Sequence, residues 1–147
     1  MTELRPTTNR SLPIALLRAR ERVMGPIREM LSDVDITEQQ WRVLRVLDEN
    51  GPMDPTRIAD QACLLLPSLT RILQKLEEKS LIQRRKDRDD KRRQVVQITA
   101  SGNKVIKDNL STSIALVEQL QEKLGQDRYE LLLDLLNELD QVDPTGN

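Results

Sequence analysis

The sequence has no histidine or phenylalanine, and only one cysteine, one tryptophan and one tyrosine among its 147 residues. Without histidine, neither the usual cysteine–histidine metal sites nor a nucleophile activated by imidazole can be assembled. A single cysteine excludes an internal disulfide framework. So few aromatic rings disfavour RNA- and single-strand-binding folds that stack bases on aromatic side chains. We therefore expect a binding protein, not an enzyme, with no metal or cofactor.

Long apolar runs are also missing. No segment approaches the ~20 apolar residues that a membrane span needs, and no charged start followed by an apolar signal region is visible. We therefore expect a cytoplasmic protein without a membrane partner. With 37% hydrophobic residues, the chain can bury one domain's core. That core must consist of Leu, Ile and Val, which is typical of packed helices.

Basic residues concentrate in one stretch of the chain. Residues 71–93 contain ten Lys or Arg and five Asp or Glu, a charge of +5, whereas the whole chain carries −1 and the remainder therefore −6. Residues 100–147 alone have four basic and nine acidic residues, a charge of −5. A basic island on an acidic body indicates a polyanionic partner such as double-stranded DNA. The alternative is a solvated hairpin whose acids and bases pair with each other.

The basic stretch begins within a predicted amphipathic helix. Pro67 suits a first helical turn, and apolar residues recur every three or four positions from Leu69 to Leu76. The polar side chains elsewhere on this helix are short donors and acceptors together with two cations. Such groups suit the base edges and phosphates of a major groove. These candidate DNA-binding residues are Ser68, Thr70, Arg71, Gln74 and Lys75.

Two β-type runs follow this helix, at residues 81–85 and 94–98, with a charged segment between them. They predict a β-hairpin. Upstream, Thr37 and Gln40 have the spacing of a capping box, and Asp54 with Pro55 predicts the start of a short helix. The fold class is therefore mainly α, a winged helix-turn-helix with a two-stranded β wing.

The first predicted helix, at residues 11–31, contains Gly25-Pro26. Proline removes the hydrogen bond to the Arg22 carbonyl and clashes with the preceding turn, which costs ~3 kcal/mol in a helix interior. We therefore expect a kink or a broken helix at this point.

Two helices are predicted after the hairpin, from Ala100 to about Leu124 and from Tyr129 to Leu139. The last is too apolar on all sides for a solvated surface helix. We expect a single domain over residues 1–147. In it, residues 11–32 and 100–140 form a dimerisation body, and residues 36–99 form the DNA-binding lobe.

Three stretches in combination resemble the winged helix-turn-helix of MarR-family transcription regulators: LTRILQKLEEKSLIQRR, the D-x-R of Asp90-Lys91-Arg92, and Ile98-Thr99 followed by Gly102. Upstream, RSLPIALLRARERVM and TEQQWRVLRVLDENGPMDPTRIADQACLLLPSLTRIL look similar to one branch, the homoprotocatechuate-degradation operon regulators. The resemblance covers about Arg10 to about Leu139. It implies a homodimeric repressor of an aromatic-acid catabolic operon. The dimer would bind a pseudo-palindromic operator and release it on binding a small aromatic carboxylate.

The resemblance also implies roles for the wing. In the family, the arginine of D-x-R enters the minor groove and its aspartate buttresses it; here these residues are Arg92 and Asp90. A narrow minor groove attracts a guanidinium because it concentrates negative potential. The alternative is an ion pair that only stabilises the hairpin. Arg88, at the wing tip, is a weaker candidate for DNA contact, because Asp87 and Asp89 oppose phosphate approach.

MarR-type regulators commonly bind small aromatic carboxylates between their first helices and the DNA-binding lobe. Trp41 would suit the wall of such a cavity, and Arg18 or Arg22 would hold the carboxylate. Alternatively, Trp41 belongs to the core, and the arginines are solvated or paired with Glu21 and Glu29.

Two further functions stay open. Some relatives sense oxidants through a cysteine, but Leu64, Leu65 and Leu66 follow Cys63 and predict a buried thiol, whereas a redox sensor needs an accessible one. A winged-helix protein-interaction module would present an apolar helix face, whereas Ser68, Thr70, Arg71 and Gln74 are polar.

Overall fold

The computed structural model describes Arg5 and residues 7–145. In these residues, six α-helices and two antiparallel β-strands follow a 3₁₀ turn at Thr8–Arg10. They are α1 (Leu12–Ser32), α2 (Glu38–Asn50), α3 (Pro55–Gln61), α4 (Leu66–Glu78), β1 (Ile82–Lys86), β2 (Gln94–Ile98), α5 (Ala100–Leu124) and α6 (Gln126–Asp140). The predicted mainly α class and the winged helix-turn-helix, α2 to β2, are confirmed.

The chain divides within α5 into two compact units, Met1–Ser113 and Ile114–Asn147. The first unit contains the whole winged helix-turn-helix. No helix in the described part of the chain combines the length and the apolar character that a membrane span requires.

Local capping determines where α2 and α3 begin. The Gln40 N–H donates to Thr37 Oγ1, and the Thr37 N–H donates to Gln40 Oε1, both at 3.1 Å, so the predicted capping box is present. At α3, the Arg57 N–H donates to Asp54 Oδ1 at 2.9 Å. Each side chain satisfies an N–H group that has no partner inside its helix.

The core lies between α2, α3, α4 and the wing. Leu69 and Leu76 of α4 are fully buried, as are Leu44 of α2 and Ile58 of α3. The wing joins this core through β2, where Val96 is also fully buried. Aliphatic side chains therefore supply nearly all of this interior, as the composition predicts.

Backbone hydrogen bonds hold the wing against the α2–α3 connection. The Met53 N–H donates to the Val96 carbonyl at 3.0 Å, and the Val96 N–H donates to the Met53 carbonyl at 2.8 Å. Val96 is also opposite Arg84 of β1 in the hairpin register. The wing is thus paired on both sides of β2 and has a fixed direction relative to α4.

The sequence predicts a kink or a break in α1 at Pro26, and the break is wrong, because the helix continues through Pro26. Gly25 precedes the proline and has no Cβ to clash with the pyrrolidine ring, the clash that disfavours helical backbone before proline. Beyond it, Ile27 and Leu31 are buried. Their burial offsets the loss of one backbone hydrogen bond.

The predicted burial of Cys63 is also wrong, since its side chain is exposed. Cys63 lies in the tight turn between α3 and α4 with a φ of +56°, the left-handed region that few side chains adopt. The chain turns sharply at Cys63, so its side chain is exposed although the preceding residue, Ala62, is fully buried. Leu65 and Leu66, expected to cover the thiol, are exposed as well.

Two helices carry leucine side chains that this chain does not cover. On α1, Leu12, Leu16, Leu17 and Val23 are exposed, so only the end of its predicted stripe reaches the core. No residue of α6 is buried, and its exposed leucines are Leu131, Leu132, Leu133, Leu135, Leu136 and Leu139.

Gly102 lies where α5 passes closely over the start of the wing. A Cβ added there would be 2.3 Å from the Leu81 carbonyl oxygen and 2.6 Å from Ile98 Cγ1. The Thr99 hydroxyl maintains this approach, because it accepts from the Gly102 N–H at 3.1 Å and donates to the Ser80 carbonyl at 2.7 Å.

We therefore expect Gly102→Ala to lower the free energy of unfolding by about 1–3 kcal/mol, because backbone must move to admit the methyl group. Urea denaturation followed by circular dichroism measures this loss. The matched control is Ser111→Ala, at an exposed position of the same helix, and its effect should stay below about 1 kcal/mol. Equal losses in the two variants would contradict the assigned contact.

Candidate nucleic-acid interface

The buried stripe of α4 fixes which side chains the helix turns outward. Leu69, Leu73 and Leu76 are at most 2% exposed, and the helical repeat places Arg71 and Gln74 on the opposite side. Both of these side chains are exposed. Arg71 has no hydrogen bond or ion pair with any residue that the structure describes, so its five donors are free to bind a ligand.

The other predicted DNA-binding residues of α4 differ in which of their groups face the solvent. Thr70 Oγ1 donates to the Leu66 carbonyl at 3.1 Å, so the hydroxyl turns back to its own helix and the methyl group faces away from that bond. Gln74 Nε2 lies 3.5 Å from Glu78 Oε1. Ser68 is half-buried, whereas Lys75 is exposed. The outward face of α4 therefore combines an unpaired arginine and lysine with one amide and one methyl group.

A cleft of about 340 Å³ separates this face from the start of α2. Ser68, Arg71 and Lys75 line one side, and Thr37 and Gln39 line the other. No acidic residue is among its lining residues. Because the first turn of a helix also carries partial positive charge, the cleft suits an anion such as a backbone phosphate.

The wing holds its arginine in a defined orientation. Asp90 Oδ1 accepts from both the backbone N–H and the side-chain Nε of Arg92, at 3.1 and 3.2 Å. The Arg92 side chain is nevertheless 92% exposed, and both terminal nitrogens project beyond the pair. This geometry agrees with a buttressed minor-groove contact and equally with a local ion pair.

A local hydrogen bond holds the turn at the tip of the wing. The Asp89 N–H donates to Asp87 Oδ1 at 3.0 Å, which ties the Asp87 carboxylate into the turn. Arg88 is exposed and has no partner among the described residues. At the base of the wing, Arg93 Nη2 donates to Asp54 Oδ2 at 3.1 Å, so this cation helps to attach the wing to α3.

Most of the basic island is not neutralised by its own acids. Of the ten cations in residues 71–93, four have an acidic partner, namely Lys79, Arg84, Arg92 and Arg93. Only the Arg92–Asp90 pair lies within the hairpin. The other six have no acidic partner in the described part of the chain: Arg71, Lys75, Arg85, Lys86, Arg88 and Lys91. The solvated, self-paired hairpin is therefore the weaker interpretation of the basic stretch.

One of the four pairs joins α4 to β1. Arg84 Nη2 donates to Glu77 Oε1 at 2.8 Å. This hydrogen bond lowers the pKa of the Glu77 carboxyl and raises the pKa of Arg84. The pair therefore stays charged at neutral pH and links the end of α4 to the wing.

The residues predicted to hold an effector do not form one cluster in this chain. Trp41 is only 7% exposed and belongs to the core. Arg18 donates to Asn9 Oδ1 at 2.8 Å and to Thr8 Oγ1 at 3.0 Å. Arg22 is exposed, with no partner among the described residues.

The arginines of α1 that do reach α2 are Arg20 and Arg28, which sequence reasoning missed. Both pair with Glu38, whose side chain is 9% exposed, and Arg42 approaches the same carboxylate at 3.4 Å. The spacing carries part of the signal, since Arg20 shares the helical phase of Ile27 and Leu31, but the identity of its partner depends on how α1 and α2 pack. They also line a hollow of about 390 Å³ beside the start of α2.

These ion pairs connect the first helix to the helix-turn-helix. Arg42 also donates from Nη1 to the Ala62 carbonyl at 2.8 Å, in the turn before α4. Arg28 is further held by Glu21, and their hydrogen bond lowers the pKa of Glu21 and raises that of Arg28. A continuous series of contacts therefore runs from α1 through Glu38 to the turn that positions α4.

Comparisons of the sequence give one consistent family. A family model described as the MarR family matches residues 36–93. The chain is 39% identical over 137 residues to the HTH-type transcriptional regulator FarR of Neisseria gonorrhoeae, covering 93% of this chain and 94% of that protein. It is 35% identical over 128 residues to the homoprotocatechuate degradative operon repressor of Escherichia coli, with 87% and 86% covered.

Solved structures agree with the sequence comparisons. NadR in complex with 4-hydroxyphenylacetate is 38% identical with a TM-score of 0.82, over 96% of this chain and 100% of that one. The transcriptional repressor CouR, bound to a 23-mer DNA duplex, is 29% identical with a TM-score of 0.78, over 95% and 100%.

Proposed function

Since this chain belongs to the MarR family of transcription regulators, we propose that it is a homodimeric repressor that a small aromatic carboxylate releases from its operator. The observation that carries the DNA-binding part is the outward face of α4, with two unpaired cations, beside a wing that projects a buttressed arginine. A solved relative, CouR, is bound to a DNA duplex.

In this proposal, α4 enters the major groove. Arg71 and Gln74 reach base edges, while Ser68 and Lys75 contact phosphate near the cleft beside α2. Arg92, oriented by Asp90, enters the adjacent minor groove, where negative potential is concentrated. Arg88 extends from the wing tip to the backbone. Two such lobes, one from each subunit, would read the two halves of a pseudo-palindromic site.

The second subunit is proposed from the uncovered leucines. α6 has six exposed leucines, and α1 begins with three more. Exposed apolar side chains grouped in this way mark surfaces that bind another protein. The acidic character of residues 100–147 keeps DNA away from α6 and therefore favours a second copy of the chain as its partner. Light scattering should then give about twice the chain mass.

The effector is proposed to be an aromatic acid for two reasons. The chain resembles NadR, which has been crystallised with 4-hydroxyphenylacetate, and a homoprotocatechuate operon repressor. In addition, Arg20 and Arg28 line a hollow beside the start of α2, the helix that also contains Trp41. The effector would act by binding a dimer whose recognition helices no longer match successive major grooves.

Redox control through Cys63 is the second candidate, and the exposure of the thiol favours it over a buried structural cysteine. Its position in the turn before α4 would couple oxidation to DNA binding. Replacing Cys63 with Ser separates the two mechanisms, because a redox-switched repressor would lose its response to peroxide and retain its response to aromatic acids.

We expect Arg71→Ala to weaken binding to the cognate duplex by ~1–3 kcal/mol and to relax discrimination at one base pair, if the guanidinium is bidentate to a guanine. Fluorescence anisotropy with cognate and random duplexes measures both effects. Arg128→Ala, an exposed arginine on α6, should leave affinity unchanged. An equal loss for Arg71→Ala on both duplexes would show that Arg71 contacts only phosphate.

The only tryptophan, Trp41, reports on the effector. Titration with substituted phenylacetates, cinnamates and indole-acetate should change its fluorescence for at least one compound, and that compound should release DNA. By linkage, bound DNA weakens the affinity for that compound by the same factor, typically 5–150-fold. Arg20→Ala or Arg28→Ala, which removes a cation that lines the hollow beside α2, should remove the response, whereas Arg128→Ala should not change it. If no acid affects Trp41 or the DNA complex, the effector proposal fails and the DNA-binding proposal stands.

A further inference from the structure

Two consecutive leucines at the start of α4 are exposed to solvent. Leu65 is 77% exposed and Leu66 is 47% exposed. Within residues 36–99, all of which the structure describes, they are the two exposed large hydrophobic side chains. Both lie at the N-terminal end of α4, beside the polar face described above.

Local stability does not explain these residues. Leu65 is the N-cap of α4 and makes no side-chain cap hydrogen bond. Ser, Thr, Asp or Asn at that position would satisfy a free N–H group and contribute about 1 kcal/mol. The chain therefore has an apolar residue at a position that favours a polar one, and leaves it in water. A residue that lowers local stability in this way is typical of a functional position.

The neighbouring threonine extends this apolar surface. Thr70 lies one helical turn after Leu66, and its hydroxyl donates to the Leu66 carbonyl at 3.1 Å. Residues four apart are neighbours on a helix surface, so Leu66 and Thr70 form one edge of α4. Arg71 and Lys75 form the cationic edge beside it.

The N-terminal residues of a recognition helix are those that reach base edges in the major groove. There, thymine alone among the four bases presents a methyl group, at C5, and apolar side chains are its usual partners. On the adjacent edge, Lys75 would hold a phosphate beside such a contact, and Arg71 would reach a neighbouring base edge. Charge complementarity and continuity with the proposed reading face therefore indicate DNA, not a protein partner, as the occupant of these leucines.

We propose that Leu65 and Leu66 specify thymine in each half of the operator, by packing against the C5 methyl groups of that base. This inference rests on the proposed DNA-binding function and adds a base identity that the polar residues of α4 do not determine.

The test compares thymidine with 2′-deoxyuridine, which differs from it only by lacking the C5 methyl group. A duplex is first selected from random DNA by the purified full-length protein, and each thymine is then replaced singly. For the unmodified protein, replacement at a contacted thymine should weaken binding about fourfold, the effect of one buried methyl or methylene group.

The leucine variants identify the side chain that makes the contact. For Leu65→Ala or Leu66→Ala, the deoxyuridine and thymidine duplexes should bind about equally well at the contacted position. The loss of affinity caused by deoxyuridine at other positions should stay unchanged. The matched control is Val34→Ala, which shortens an exposed apolar side chain before α2 and should retain the full penalty.

Three outcomes would overturn the inference while the DNA-binding proposal survives. These are a protein that tolerates deoxyuridine at every position, leucine variants that keep the full penalty, and leucine variants that change only the mass measured by light scattering. The last outcome would show that a second polypeptide covers the leucines. Failure of the unmodified protein to select any duplex would instead refute the proposed function itself.

Discussion

Burial of one face of α4 is the constraint on which the rest of this structure depends. Leu69, Leu73 and Leu76 are held in the aliphatic core, so the helix cannot rotate without exposing them, at ~1.5–3 kcal/mol for each leucine. That fixed rotation directs Arg71 outward. It also leaves Leu66 at the exposed start of the helix. The same core therefore both stabilises the lobe and determines which side chains a groove would meet.

The features that the sequence predicts well are local ones. The capping residues Thr37 and Asp54 mark helix starts, because their side chains satisfy N–H groups only a few residues away. The stripe of α4 predicts its buried face for a similar reason, since helical periodicity requires no knowledge of the partner. Together these signals give the order of elements, the winged helix-turn-helix and the polar face of α4.

What could not be predicted depends on contacts between elements or on a single backbone angle. The positive φ of Cys63 reverses the side of the chain on which its side chain lies, and no composition rule signals this. Pro26 is tolerated because Gly25 removes the clash and the following turn is buried. The pairing of Arg20 with Glu38 required the relative placement of α1 and α2, whereas sequence reasoning had selected other arginines of α1.

Methylation interference with dimethyl sulfate on the selected duplex tests the central claim most directly, because the reagent modifies guanine N7 in the major groove and adenine N3 in the minor groove. The account predicts interference at guanine N7 in two clusters one helical turn, about 10 base pairs, apart, from α4 of each subunit. It also predicts interference at adenine N3 beside each cluster, from Arg92. Adenine N3 interference that persists in Arg92→Ala, or a single guanine cluster, would contradict the account.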